Sequence, residues 1–344
     1  MATDAPPLLL VGCGAFGRVH LAALARLGLS GRVLAFDPDP GARAAAPPGL
    51  RFAATLEEGL ATCRAAILAT PVPTHAPLAA AALRAGLDLL LEKPATETSA
   101  EAEALAALAA GRGRIVQVGL YFRFQPKAQA LRAMAARGEL GRLHYVAARF
   151  SGLKRARADS GALLNDAVHF ADLLPWVAGE APAAVFAQTA DPLGRGLEDV
   201  AVLQLRFPSG LIGLIEAGCA LPGRWPDAVV PGAETRKEVV VAGSEAVAEV
   251  DFAAEEFAIR RGAHAAGPDG AWHPHHAPRE VLAIPAADPV EVVAAELVAF
   301  LGAVATRRPT GPDLVEGGVR PLRILDAARR SAQEGRVVEI PACG

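Results

Sequence analysis

The sequence is poor in cysteine and has no marked excess of either charge. Its four cysteines, Cys13, Cys63, Cys219 and Cys343, are scattered among 344 residues with no CxxC pair and no metal-ligand spacing. That pattern indicates a reducing, cytoplasmic setting rather than a disulfide framework. Lys plus Arg number 34 and Asp plus Glu number 37, a net charge of 34 − 37 = −3. No basic excess therefore points to nucleic acid or to an anionic membrane as a partner.

Long apolar runs and a secretory leader are also lacking. The apolar runs are strand-length, or alanine-rich and interrupted by charge, so we expect no segment that spans a bilayer. The opening MATDAPPLLLVG has no basic region before its apolar stretch and is a poor signal peptide. Hydrophobic residues, in contrast, make up 52% of the chain, enough for packed cores in two domains.

The first 120 residues alternate short apolar runs with Ala/Leu-rich amphipathic stretches. Because the runs are continuously apolar, we expect strands covered on both faces, which is typical of a parallel sheet in a βαβ fold. The predicted strands are 8–12, 32–37, 65–70, 88–93 and 114–119, and the predicted helices are 16–27, 41–46, 56–61, 75–86 and 98–110.

After residue 140 the pattern changes to strands joined by Gly, Pro and Asp turns. LQLRF-PSG-LIGLIEA and KEVVVAGSEAVAEVDF each predict a hairpin in an antiparallel sheet. A helix at 161–176 follows the first strand of this sheet, and helices at 289–306 and 318–334 close the chain. Residues 262–278, rich in Gly, Pro and His, are predicted as a loop.

The histidines of that loop resemble metal ligands only superficially. Proline residues lie near His273, His275 and His276, and no carboxylate is spaced to complete a site. We therefore predict no metal there.

VGCGAFG forms a GxGxxG directly after the first strand and at the start of a helix. Gly12 permits the tight turn, Gly14 lets the backbone approach a pyrophosphate, and Gly17 lets helix and strand pack closely. The pyrophosphate then lies at the helix N-terminus, where free N–H groups favour an anion. The turn, with Ala15 and Phe16, is a predicted dinucleotide site.

Asp37 ends the second strand, 20 residues past Gly17. A carboxylate there accepts hydrogen bonds from both ribose hydroxyls and repels a 2′-phosphate. We therefore predict NAD rather than NADP as the cofactor, with Arg43 as the residue that weakens this preference.

Polar residues follow the third and fourth strands, in ATPVPTH and LEKP. Ligands of a doubly wound sheet lie beyond the carboxyl ends of its strands. We therefore expect these residues to line the nicotinamide end of the cofactor site. They are Thr70, Pro71, His75, Glu92 and Lys93.

One face of the 161–176 helix is polar. At ~100° per residue, Asn165, His169, Asp172 and Trp176 fall within ~60° of one another. The alternative is a structural histidine buried among leucines and satisfied by Asp172.

Five segments together resemble the Gfo/Idh/MocA oxidoreductase family: GCGAFG, ATPVPTH, LEKP, VGLYFRFQP and GALLNDAVHFADLLPW. The resemblance implies an α/β protein, with an N-terminal doubly wound Rossmann domain over 1–121. A C-terminal α+β domain over 122–344 would carry an open, mostly antiparallel sheet, and the C-terminal helix would pack back on the first domain. That sheet commonly forms the oligomer contact, so a homodimer or homotetramer is expected.

The resemblance also implies a reaction. Lys93 and His169 would face each other across the nicotinamide of an NAD-dependent dehydrogenase acting on a secondary alcohol of a sugar, sugar derivative or cyclitol. His169 would be the general acid or base, and Lys93 would polarise the substrate oxygen. Asp172 would orient the imidazole.

Asn165 departs from the family pattern, which commonly has Asp four residues before this histidine. An amide cannot act as a base, so either the substrate is altered, or Asp166 takes over the role, or activity is lost.

Further substrate contacts are predicted outside this helix. Tyr121 and Arg123 follow the fifth strand, and Lys154, Arg155 and Arg157 precede the His169 helix. The basic cluster could bind a phosphate or carboxylate, as on a nucleotide sugar or uronic acid. A structural role, or a solvated basic loop, is the alternative.

Two rival functions remain open. An enzyme that retains NAD could use transient oxidation to cleave a glycosidic bond or drive an internal redox exchange. A catalytically silent protein could instead sense NAD(H) or a sugar.

Overall fold

The computed structural model describes residues 7–254, 256–285 and 287–342, so Cys343 lies outside the described residues. The chain divides into two compact units, Met1–Phe124 with Asp288–Leu322 and Gln125–Ala287 with Arg323–Gly344. This division differs from a single boundary at 121/122 because residues 288–322 return to the first unit.

Four helices, α2, α3, α5 and α8, begin after a residue whose side chain caps the first turn. Thr98 starts α5 with a capping box, in which its hydroxyl accepts from Glu101 N while the Glu101 carboxylate accepts from Thr98 N. In chain order the helices are α1 Ala15–Arg26, α2 Pro40–Ala44, α3 Leu56–Thr62, α4 His75–Arg84, α5 Ser99–Arg112, α6 Pro126–Ala136, α7 Val168–Ala178, α8 Pro289–Thr306 and α9 Arg320–Glu334.

The first unit contains a parallel sheet with strand order β3-β2-β1-β4-β5-β6. This is the doubly wound order, in which ligands bind where the direction of winding reverses, between β1 and β4. The predicted Rossmann fold is confirmed. The two-residue β3 was not predicted because it is too short to show a pattern. The strands are β1 Leu8–Val11, β2 Val33–Phe36, β3 Arg51–Phe52, β4 Ala65–Leu68, β5 Asp88–Glu92 and β6 Val116–Gly119.

Helix α8 belongs to the core of this unit although it comes late in the chain. Val293, Leu297 and Phe300 are fully buried in one apolar cluster with Leu10 and Leu24. By length and composition alone, α8 is the one described helix that could cross a membrane. Its burial among the Rossmann residues accounts for that apolar character.

The second unit contains a larger sheet in which β7 and β10 pair in parallel and the other pairs are antiparallel. The predicted mostly antiparallel sheet is confirmed, as are both predicted hairpins, β9–β10 and β12–β13. The strand order is β15-β14-β13-β12-β7-β10-β9-β8-β17, with β11 on β12 and β16 on β14. The strands are β7 Leu143–Ser151, β8 Ala184–Ala190, β9 Val200–Arg206, β10 Ile212–Gly218, β11 Trp225–Pro226, β12 Glu234–Gly243, β13 Ala246–Asp251, β14 Phe257–Ala266, β15 Trp272–His276, β16 Glu280–Val281 and β17 Val338–Glu339.

The prediction of a loop over 262–278 is wrong. Strands β14 and β15 form a hairpin there, with Gly262 opposite His276 and Ala266 opposite Trp272. All five residues of β15 are exposed. Because neither face of this strand is buried, its sequence lacks the apolar alternation that would predict a strand. Pro274 is tolerated because β15 is an edge strand. His273 contacts the Asp269 carboxylate at 3.1 Å.

The polar helix predicted at 161–176 is interrupted at its start. Leu163–Ala167 forms a π-helical turn that leads directly into α7. A π turn is wider than an α turn, so each residue advances by less than ~100° around the axis. Asn165 lies in this turn, whereas His169 and Asp172 lie in the regular part of α7.

Candidate active site

The glycine-rich turn after β1 has the geometry that a dinucleotide needs. Gly12 has a φ of 95°, and a Cβ there would lie 2.4 Å from the Ala69 carbonyl oxygen. A Cβ on Gly17 would lie 2.1 Å from the Gly12 carbonyl oxygen, so helix and strand touch at this point. Gly14 faces open space, with no described atom within 4 Å of a Cβ built there. Gly12 thus forms the turn, Gly14 leaves space for a ligand, and Gly17 allows close packing of helix and strand.

The N-terminus of α1 fits an anion. Its N-cap is Gly14, which has no side chain that could bond to the first turn. The first backbone N–H groups of the helix are therefore available to a pyrophosphate.

Asp37 is held rigidly at the end of β2. Its Oδ2 accepts from Cys13 N at 2.7 Å, its Oδ1 accepts from Asp39 N at 2.9 Å, and the residue is 8% exposed. Each oxygen can accept a further hydrogen bond, as binding of the two ribose hydroxyls requires. Burial, with the Asp37 charge, raises the pKa of Cys13 to about 11, so its thiol stays neutral.

Arg43, the residue expected to weaken the preference for NAD, packs on an aromatic ring. Its guanidinium lies over the Phe52 ring, 4.9 Å from the centroid. The surroundings of Asp37 therefore fit NAD.

His75 is a buried bridge between two loops. It is 1% exposed, with Nδ1 2.8 Å from the Pro94 carbonyl oxygen and Nε2 2.9 Å from that of Thr70. Burial lowers its pKa despite these two contacts. Its ring nitrogens thus join the loop after β4 to the loop after β5, where the sequence suggested a residue lining the cofactor. Pro71, beside Thr70, is exposed.

Lys93 is half-buried immediately after β5, and its peptide bond to Pro94 is cis. The preceding Glu92 is 6% exposed and turns inward. Its Oε2 accepts from Lys93 N at 3.2 Å, and its Oε1 lies 2.7 Å from His20 Nε2. Glu92, predicted as a cofactor residue, therefore fixes the backbone of Lys93 from the protein side.

Sequence reasoning missed the partner of Glu92. His20 lies on the buried face of α1, three residues after Gly17, and has no accessible surface. The available signal was a polar residue in the otherwise apolar stretch VHLAAL.

Arg123 forms an ion pair within the first unit. Its Nη1 lies 2.6 Å from Glu316 Oε1, and its side chain is 9% exposed. Tyr121 is half-buried in the helical turn Tyr121–Phe124, with its ring edge-to-face on Phe122. Both residues thus have structural contacts of their own.

In the second unit, His169 and Asp172 lie on α7 and are 8% and 4% exposed. The imidazole packs against Phe150 of β7, with 5.3 Å between ring centroids. Lys154 Nζ lies 4.1 Å from the centroid of the same ring. Phe150 therefore brings a predicted catalytic residue and a predicted substrate residue to one place.

The basic segment before α7 is largely neutralised by carboxylates of its own unit. Lys154 Nζ lies 2.5 Å from Asp166 Oδ1, which also accepts from Asn165 Nδ2 at 2.9 Å. Arg157 binds both oxygens of Asp159, and that hydrogen bonding lowers the pKa of Asp159 to about 2. Arg155 is exposed. The cluster is thus far less cationic than three basic residues suggest.

These features define a nucleotide-binding Rossmann unit joined to a mixed-sheet unit that carries a buried histidine. The family models agree with this division. Residues 8–120 match the oxidoreductase family with an NAD-binding Rossmann fold, and residues 128–249 match the GFO/IDH/MocA C-terminal domain. The chain belongs to the GFO/IDH/MocA family, which confirms the resemblance seen in the sequence and NAD as the cofactor.

Individual relatives are similar over different lengths. The inositol 2-dehydrogenase of Leifsonia xyli subsp. xyli is 34% identical over 183 residues, 51% of this chain and 54% of that protein. The D-apiose dehydrogenase of Paraburkholderia graminis is 27% identical over 96% of this chain and 88% of that protein. The crystal structure of GenD2 from gentamicin A biosynthesis, in complex with NAD, has a TM-score of 0.78 and 28% identity, covering 99% of this chain and 98% of that one.

The matches to inositol 2-dehydrogenases are partial. The chain aligns with 54% to 65% of the length of the first five such relatives.

Proposed function

We propose that the protein is an NAD-dependent dehydrogenase that transfers hydride between a secondary alcohol of a sugar, sugar derivative or cyclitol and the nicotinamide. The observation that supports this proposal best is the position of Lys93. Glu92 holds its backbone at the end of β5, in the same unit as the glycine-rich turn. Membership of the family and the names of the inositol and apiose dehydrogenases support the substrate class.

The proposed roles follow from the chemistry of alcohol oxidation. The hydroxyl proton must leave as hydride leaves the carbon, and NAD supplies the hydride acceptor when bound. His169 takes the proton, since the unperturbed pKa of an imidazole, ~6.5, is near working pH. Lys93 hydrogen-bonds the substrate oxygen and stabilises the developing alkoxide. Asp172, one turn from His169, orients the ring.

We further propose that the substrate is neutral. Lys154 and Arg157 already bind Asp166 and Asp159, so a phosphate or carboxylate would have to displace a paired carboxylate. Asn165 and Asp166 offer neutral and anionic hydrogen-bonding groups, which suit sugar hydroxyls. Asn165 at the usual Asp position is then a determinant of the substrate.

The test is reduction of NAD⁺, followed at 340 nm, with inositols, free sugars, uronic acids and nucleotide sugars. We expect turnover with neutral polyols and a weaker rate with NADP⁺. Turnover with charged substrates alone would contradict the neutral-substrate proposal and direct attention to Arg155. Bound NAD without net reduction would favour the cofactor-retaining enzyme or the sensor instead.

We also propose that the protein forms a homodimer or homotetramer through its second sheet. Val202 of β9 and Ile212 of β10 are exposed on one face of the second sheet, which fits a contact between copies. Light scattering after size exclusion would reveal a dimer or tetramer, and a Val202→Glu, Ile212→Glu double variant should shift it to monomer.

A further inference from the structure

A buried polar cluster lies in the first unit beside Lys93. It consists of His20, Glu92 and Glu296, which are 0%, 6% and 1% exposed. One side-chain nitrogen or oxygen atom from each lies within 4.8 Å of those of the other two. Charged groups are rarely buried unless paired. A cluster of three such residues in a Rossmann core therefore calls for a specific role.

The cluster joins three elements of the cofactor-binding unit. His20 lies on α1, one turn after the glycine-rich turn, Glu92 ends β5, and Glu296 lies on α8. Gly119 of β6 leaves room for the carboxylate, because a Cβ there would come within 2.8 Å of Glu92 Oε1. The absence of a side chain at Gly119 thus makes room for the Glu92 carboxylate.

Glu296 is the more deeply buried of the two carboxyl groups in the cluster. Burial raises its pKa well above the usual range, and the nearby Glu92 charge raises it further. Among the described residues, Glu296 Oε1 and His20 Nδ1 have no hydrogen-bond partner. Burying a polar atom without a hydrogen-bond partner costs stability, so these two atoms call for an explanation.

The two oxygens of Glu92 have different partners. One contacts His20 Nε2 at 2.7 Å, and the other accepts the Lys93 backbone N–H at 3.2 Å. Rotation of this carboxylate would break both contacts together. Resting on the proposed function, we propose that His20 is a positioning residue: by anchoring Glu92, it holds the Lys93 backbone, and so the ammonium, in the place where it meets the substrate oxygen.

The first test compares His20→Leu with His20→Gln. Leucine removes the contact with Glu92, and we expect kcat to fall ~10-fold or more with the NAD Kd nearly unchanged, since small misplacements of a reacting group are costly. The glutamine amide can restore a donor near the position of Nε2, so His20→Gln should recover most of the kcat. Equal kcat for the wild type and His20→Leu, or no recovery with glutamine, would overturn the proposal.

A matched control lies at the other end of β5. Asp88 begins β5, at the end of the strand opposite Lys93, and is a buried carboxylate that accepts from Ile115 N and pairs with Arg307. Asp88→Asn should lower stability while kcat is retained. A fall in kcat equal to that of His20→Leu would show that any damage to β5 is sufficient and would overturn the specific role of His20.

A second readout does not depend on turnover. Amide hydrogen exchange should be faster at Lys93 in His20→Leu than in Asp88→Asn, because only the former releases the Glu92 acceptor. Faster exchange without any wild-type turnover would refute the proposed dehydrogenase and keep the positioning role. Unchanged exchange would overturn the positioning role. A stoichiometric metal ion in the wild-type protein, lost in Glu296→Gln, would overturn it in favour of a metal site.

Discussion

The two units carry their functional residues by different physical means. In the first, the cofactor turn depends on backbone geometry: a positive φ at Gly12, open space at Gly14 and a helix–strand contact at Gly17. In the second, the polar face of α7 depends on side-chain contacts around Phe150 and on a π-helical turn. The first kind of site is specified by residue spacing, whereas the second depends on packing between segments distant in sequence.

Loss of either proposed catalytic group should have the largest effect. Lys93→Met and His169→Ala should each lower kcat by ~10²-fold or more, because proton transfer and alkoxide stabilisation are removed. The NAD Kd, measured by calorimetry, should change little. Near-normal kcat in both variants would refute the assignment of one reaction to residues from both units.

The ion pair before α7 should contribute measurably to the stability of the second unit. Lys154→Met leaves Asp166, 2% exposed at its side chain, without its ammonium partner. Removing one partner of a buried pair costs about 3 kcal/mol. Denaturant unfolding checks this value, with the exposed Arg155→Met as a control expected to stay within about 0.5 kcal/mol of the wild type. Equal stability of the two variants would show that the pair contributes nothing specific.

Two glycine variants should separate packing from cofactor approach in the first unit. Gly17→Ala forces a Cβ against the Gly12 carbonyl, so we expect about 1–3 kcal/mol of lost stability together with weaker NAD binding. Gly14→Ala meets no described atom and has a φ of −64°, so it should fold normally and weaken NAD binding alone. Thermal unfolding with and without NAD measures both, and a stable, NAD-binding Gly17→Ala protein would contradict the role given to this contact.

The last expected effect is on the pH dependence of stability and leaves catalysis aside. The folded protein holds a proton on Glu296 more tightly than the unfolded chain does, because burial and Glu92 raise its pKa. Stability from this group is therefore full below about pH 4.3 and is lost as pH rises toward the folded pKa, by at most ~1.4 kcal/mol per pH unit. Glu296→Gln should flatten this dependence.

The exposed Glu291 on the same helix serves as the control, since Glu291→Gln should leave the pH dependence unchanged. Parallel curves for the wild type and Glu296→Gln between pH 5 and 8 would contradict a raised pKa of Glu296.

Much of the cofactor unit could be predicted because its signals are local. Buried strands such as Leu8–Val11 stand out in the sequence as continuous apolar runs, and α5 lies within two residues of the helix predicted at 98–110. The exposed hairpin of β14 and β15 carries no apolar alternation, so its sequence favours a loop. The contacts of His20 with Glu92 and of Lys154 with Asp166 join residues 72 and 12 positions apart, which no local pattern specifies.

The most direct test of the central claim is the transfer of deuterium from a neutral polyol, labelled at its carbinol carbons, to NAD⁺. Mass spectrometry of the reduced cofactor should show one deuterium with the wild-type protein. Lys93→Met, which still binds NAD, should give almost no reduced cofactor. Unlabelled NADH from the wild type, or an equal yield of labelled NADH from Lys93→Met, would contradict direct hydride transfer assisted by Lys93.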